Sequence, residues 1–116
     1  MNCKEWKERV LCCVNSHCGA TFANILQEMG ANTSGDAELT HPVHRNLVLW
    51  NGLDAGLAAA IKELLEERRI VYERTLSIVY IMDGRILPLP EAGEEKEYPV
   101  PHWLPVALYA VRGGTQ

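Results

Sequence analysis

The chain has 116 residues, 47% of them hydrophobic and 22% charged, with 11 Lys+Arg against 15 Asp+Glu and a formal charge of −4. That apolar fraction excludes a disordered or low-complexity chain, and the length suits one domain that buries a core without staples. The acidic balance argues against a surface that is basic all over, while leaving room for a local basic patch.

The charge is uneven: residues 91–97 alone carry four acids and one base. The chain therefore reads as a single domain over 1–116, with a core over about 3–87, a solvated acidic loop over 88–97 and an extended segment over 98–111. At the N-terminus Lys4, Glu5, Lys7 and Glu8 interrupt the run that a signal peptide would need. The longest charge-free stretch, Val10 to Gln27, is broken by Asn15, His17 and Gly19, so no membrane span is expected and the cytoplasm is the expected compartment. Cys3, Cys12, Cys13 and Cys18 crowd together instead of closing long loops, which points to reduced thiols.

Asn2 and Glu5 are spaced as a capping box, and Cys3, Trp6, Val10, Cys13, Val14 and His17 recur at helical spacing, so a helix is expected over about 3–17. Thr21 caps a second, shorter helix with Phe22, Ile25, Leu26 and Met29 on one face, ended by Gly30. Ala31 to Asn46 is rich in turn formers and reads as an irregular loop. Leu47-Val48-Leu49-Trp50 suits a buried strand. Asp54 then caps a third helix whose inner face is Leu57, Ala60, Ile61, Leu64 and Leu65. Ile70–Glu73 and Ser77–Met82 are β-branched and aromatic, so they read as two strands of a hairpin turning at Arg74-Thr75-Leu76. Asp83-Gly84 signals a tight turn, with Arg85-Ile86-Leu87 as a brief edge strand before Pro88 and Pro90. Tyr98 to Pro105 must be extended, Val106 to Val111 adds a strand, and Gly113 to Gln116 reads as a frayed end.

The segment from Leu53 to Glu73, a capped helix running straight into a β-branched strand, resembles the final helix and first wing strand of a winged helix-turn-helix domain. Gly19 to Gly30 resembles the helix before it. The resemblance implies an α+β fold with three helices followed by a β-hairpin wing over residues 70–82, and it implies DNA binding by a regulatory module. Two features depart from the family: more than twenty residues separate the second and third helices where it has three or four, and the strand 47–50 follows the second helix where its small first strand precedes it. On this resemblance Arg45, Lys62, Arg69, Arg74, Thr75 and Arg85 are the candidate nucleic-acid contacts, with Arg74 and Thr75 at the wing tip as the main phosphate contact. Ala55, Gly56 and Ala59 would permit close approach of the helix to DNA. The simpler reading of the arginines is pairing with Glu66, Glu67 and Glu73 on a solvated face.

The rival function is protein association or homodimerisation without DNA. It rests on the acidic outer face of the third helix and on the Pro/Trp segment, where Trp103 and Leu104 are the candidate partner anchors. The same two residues also have the plainer reading of folding back onto their own domain. Cys13 and His17 at i, i+4, with His41 and His44 three apart, have spacings a zinc ion accepts, but a core thiol and a hydrogen-bonded histidine account for the first pair equally well. The expectation is no metal and no cofactor. Without a nucleophile elbow, phosphate loop or paired carboxylates, no catalytic residue is expected either.

Overall fold

The capping box at the N-terminus forms: Asn2 Oδ1 accepts the Glu5 N–H at 2.8 Å, and the Glu5 carboxylate accepts the Asn2 N–H at 3.0 Å. It starts helix α1, Cys3–Asn15, which turns Trp6, Val10, Cys13 and Val14 inward. The computed structural model describes residues 2–30 and 33–111. After the two-residue strand β1, Ala20–Thr21, comes α2, Phe22–Met29, capped by Thr21 and Asn24 on each other's backbone N–H groups and ended at Gly30 with φ +72°. Both helices obey their sequence signals because the caps are local chemistry.

The expected irregular loop over 31–46 needs correction; its first two residues, Ala31 and Asn32, lie outside the described residues. Ser34–Thr40 is a strand, β2, paired antiparallel with β3, Leu47–Leu53. Its residues are poor strand formers, and only Leu39 is buried. The strand exists because β3 is apolar and offers an edge, and the pairing slips register three times along its length.

Asp54 caps α3, Ala55–Glu66, its carboxylate accepting the N–H groups of Gly56 and Leu57 at 2.9 and 3.2 Å. Leu57, Ala60, Ile61 and Leu64 are fully buried. Gly56 lies against α1 instead of facing outward, since a Cβ there would sit 2.6 Å from Trp6 Nε1. Across the same contact Lys7 reaches Glu63 and Glu67 at 3.0 and 2.8 Å.

The second correction concerns the wing. Ile70–Arg74 is strand β4 as expected, but Ser77–Met82 is a helix, α4, so no hairpin forms over 70–82 and the described residues hold four helices, not three. The place beside β4 is filled by β6, Val106–Ala110, antiparallel from Ile70↔Ala110 to Arg74↔Val106. β-propensity measures fit to a half-buried pleated surface, and residues 77–82 instead bury Tyr80 in the core as a helix, its hydroxyl bonded to Phe22 and Val106. Residues 85–87 form no strand. Between them and β6 the chain bends at 88–89, 93–96 and 99–100, and within the segment 98–105 expected to be extended His102–Trp103 forms β5, parallel to β3. Gly113 to Gln116 lie outside the described residues.

The result is an α+β fold with two three-stranded sheets, ordered β1-β6-β4 and β2-β3-β5. Buried side chains from both sheets and all four helices join one cluster, in which Phe22 and Tyr80 stack on Trp50 while Trp103 meets Trp50 and Tyr80 edge-on, with ring centroids 5.2–6.0 Å apart. Trp103 and Leu104 are thus core residues, 3% and 0% exposed, not anchors held out for a partner.

Candidate functional site

The structure separates the residues expected to touch DNA. Arg45, from the β2–β3 loop, and Lys62, from α3, line one groove of about 870 Å³, together with Arg68 just past the end of α3. Leu39, Leu49, Leu65 and Ile70 contribute apolar walls, and Glu38 and Glu66 stand among the cations. Arg69 lies outside this groove with Glu67 3.8 Å away. Arg74 is not at a wing tip. It ends β4, and its guanidinium donates to the carbonyls of Ala92 and Gly93 at 2.9 and 3.0 Å, holding the acidic segment against the domain. The Thr75 N–H donates to Pro105 O at 3.0 Å, and Arg85 is exposed beyond α4.

The acidic segment is correspondingly less detached than its composition implies. Ala92 is fully buried, and Glu91 bridges to Trp103. Glu95 takes a hydrogen bond from His41 Nε2 at 3.2 Å, and Glu97 lies 3.6 Å from His44 Nδ1.

The largest departure from an ordinary surface is α4. Tyr80 is its one buried residue; its hydroxyl donates to Val106 O and accepts the Phe22 N–H at 3.2 Å. Burial pushes the Tyr80 phenol well above its usual range, partly offset by the Phe22 N–H, so it stays a neutral donor. Ile78, Ile81 and Met82 lie at i, i+3, i+4 on the side away from Tyr80 and are 51%, 53% and 81% exposed. Leu76 and Ile86, flanking the helix, are 72% and 58% exposed. Sequence reasoning missed this surface. The signal was there: a strand with one solvated face alternates, whereas Leu76–Met82 has a single polar residue, Ser77.

A third feature lies where α1 meets α2. The pairs Cys13/His17 and His41/His44 do not assemble. His41 and His44 face each other, ring centroids 4.8 Å apart, beside Glu95 and Glu97. Cys13 and His17 instead gather with Glu28 of α2, their ligand atoms all within 4.8 Å of one another. Burial first, then the Glu28 charge, pushes the Cys13 thiol up to about 12.

Among the described residues no helix is long and apolar enough to cross a membrane. Comparison with protein-family models, curated proteins and solved structures finds no match.

Proposed function

We propose that the chain is a winged-helix-like module that works by self-association through α4. The observation that carries this reading is the exposed aliphatic face of Ile78, Ile81 and Met82 with Leu76 and Ile86 beside it. These exposures amount to roughly 600 Å², at the top of the ~300–600 Å² range of a typical monomer's largest apolar patch and about three quarters of the ~800 Å² per partner of a stable complex. From Leu76 to Met82 the segment has no charged side chain, so an occupant must itself be apolar. A second copy meets that requirement, because a two-fold axis lays the patch on itself. The winged-helix part is supported by the element order α1, β1, α2, α3, β4, β6. A short strand precedes the second helix, as in that family, and β4 and β6 after α3 pair antiparallel. The β2–β3 hairpin occupies the long gap before α3, and residues 75–105 stand where a short wing loop would be.

The test is the molecular mass of the full chain by light scattering or sedimentation across a concentration series. A dimer is expected, reverting to monomer in Met82→Glu, whose side chain is too exposed for the change to unfold the domain. A chain that stays monomeric at high micromolar concentration overturns this reading.

A second reading, DNA binding, is favoured by the convergence of Arg45, Lys62 and Arg68 on the groove beside α3. Its weight is reduced by Glu38 and Glu66 in the same groove, and by Arg74 already serving two carbonyls. Titration with mixed duplex DNA at two salt concentrations decides it. Binding absent at low salt, where the phosphate attraction is strongest, eliminates the reading.

A further inference from the structure

At the corner between α1 and α2, three side chains with different donor atoms converge from two helices. Cys13 and His17 are one turn apart on the same face of the chain, and Glu28 comes from the last turn of α2. Cys13 is buried at 2% exposure, while His17 and Glu28 reach solvent, so the cluster is open on one side. The donor atoms all lie within 4.8 Å of one another. A tetrahedral zinc ion with bonds of ~2.0–2.3 Å keeps its donors roughly 3.3–3.8 Å apart, so small side-chain shifts close the site.

The histidine supplies a second, independent observation. Its Nδ1 stands 2.9 Å from the Cys13 carbonyl oxygen, an atom that only accepts, so Nδ1 carries the ring proton. In the neutral ring Nε2 then points a lone pair at Glu28 Oε2, 3.1 Å away. A lone pair facing a carboxylate calls for a positive charge between them, which either a proton on Nε2 or a metal ion supplies. A ring whose Nδ1–H is locked to a backbone carbonyl, with Nε2 turned toward a carboxylate, is oriented as metal-bound imidazoles are.

We propose that Cys13 Sγ, His17 Nε2 and the Glu28 carboxylate bind one divalent ion of borderline softness, zinc foremost, with water in the fourth position. The donor set selects the ion: a thiolate disfavours magnesium and calcium, and mixed S, N and O donors suit zinc. Binding converts the Cys13 thiol to a zinc thiolate and releases its proton to solvent. The ion then ties the end of α1 to the end of α2. Cys3, Cys12 and Cys18 are exposed and take no part.

The test uses the full chain with its thiols kept reduced and cobalt(II) as a spectroscopic stand-in. One equivalent is expected to produce a thiolate-to-cobalt charge-transfer band that zinc displaces. His17→Gln and Glu28→Gln, both partly exposed and so safe for folding, should each weaken binding at least about tenfold, whereas the Cys12→Ser/Cys18→Ser double variant should bind as the parent does. Three results overturn the site: no band at millimolar cobalt, a band unchanged in both His17→Gln and Glu28→Gln, or a band lost in the Cys12/Cys18 variant. Any of these leaves His17 and Glu28 as an imidazolium–carboxylate pair and nothing more.

Discussion

In α3 the residues Leu57, Ile61 and Leu64 recur at helical spacing and lose all exposure, whereas in α4 Ile78, Ile81 and Met82 are as apolar but face water, and Tyr80 alone is buried. The difference is one of pattern, not of hydrophobicity. α3 has Lys62 and Glu66 opposite its apolar stripe and Glu63 at the stripe's margin, paired with Lys7, so one orientation against α1 satisfies these side chains. α4 has almost no polar face to orient it, and its place is set by one aromatic ring with two hydrogen bonds. An apolar helix held by one residue leaves the rest of its surface available, which is why the association reading rests there.

The comparison breaks hardest at α3. Leu57→Ala removes a fully buried side chain that has nowhere to be replaced from, and a loss of about 2–5 kcal/mol is expected by denaturant unfolding. A cost below that of a surface substitution would mean that the α1–α3 interface is not the core. Tyr80→Phe tests the anchor of α4: stacking on Trp50 and the edge-on contact with Trp103 survive, but Val106 C=O and Phe22 N–H lose their partner. A loss of about 1–3 kcal/mol is expected, with faster amide exchange in α4 than in α3. Gly56→Ala sets helix propensity against packing. A solvated helix would gain up to about 1 kcal/mol, yet the added methyl meets buried Trp6, so a net loss of about 1–2 kcal/mol is expected by thermal unfolding. Met82→Ser should shift stability by less than about 0.5 kcal/mol while weakening self-association, the inverse of Leu57→Ala.

The smallest effect is the pH dependence of the α1–α3 surface contact. Lys7 holds the Glu63 carboxyl below its ordinary range, and hydrogen bonds to Glu67 and then Glu63 hold the Lys7 ammonium above its own. A depressed carboxyl stabilises the fold above its unfolded pKa and loses that contribution as pH falls through the folded value. A raised ammonium does so below its unfolded pKa and loses it as pH rises through the folded one. Lys7→Met should therefore flatten both the acid and the alkaline limb of stability against pH; limbs identical to the parent's would show that the contact contributes nothing.

How much was legible follows from how local each signal is. The three caps at Asn2, Thr21 and Asp54 lie within three residues of the groups they satisfy, and α1, α2 and α3 begin where those residues stand. Of the candidate contacts, Arg45 and Lys62 share a groove, but Arg74 could not be placed from its turn-like neighbours, because its acceptors at Ala92 and Gly93 lie far along the chain. The i, i+4 spacing of Cys13 and His17 was visible in the sequence. Glu28 was not, since only the packing of α2 on α1 brings it there.

Local sequence by itself determined where α1, α2 and α3 start, which apolar stripes they turn inward and that the domain mixes helix with sheet, because caps and amphipathic spacing act over a few residues and need no partner. The tertiary structure decided β2, α4 and the neighbour of β4. Strand and helix compete closely in such segments, and distant partners decide between them: β3 offers an edge to the weak strand formers 34–40, while β6, arriving from residues 106–110, pairs with β4, and Phe22 and Val106 hold the buried Tyr80 of the helix 77–82.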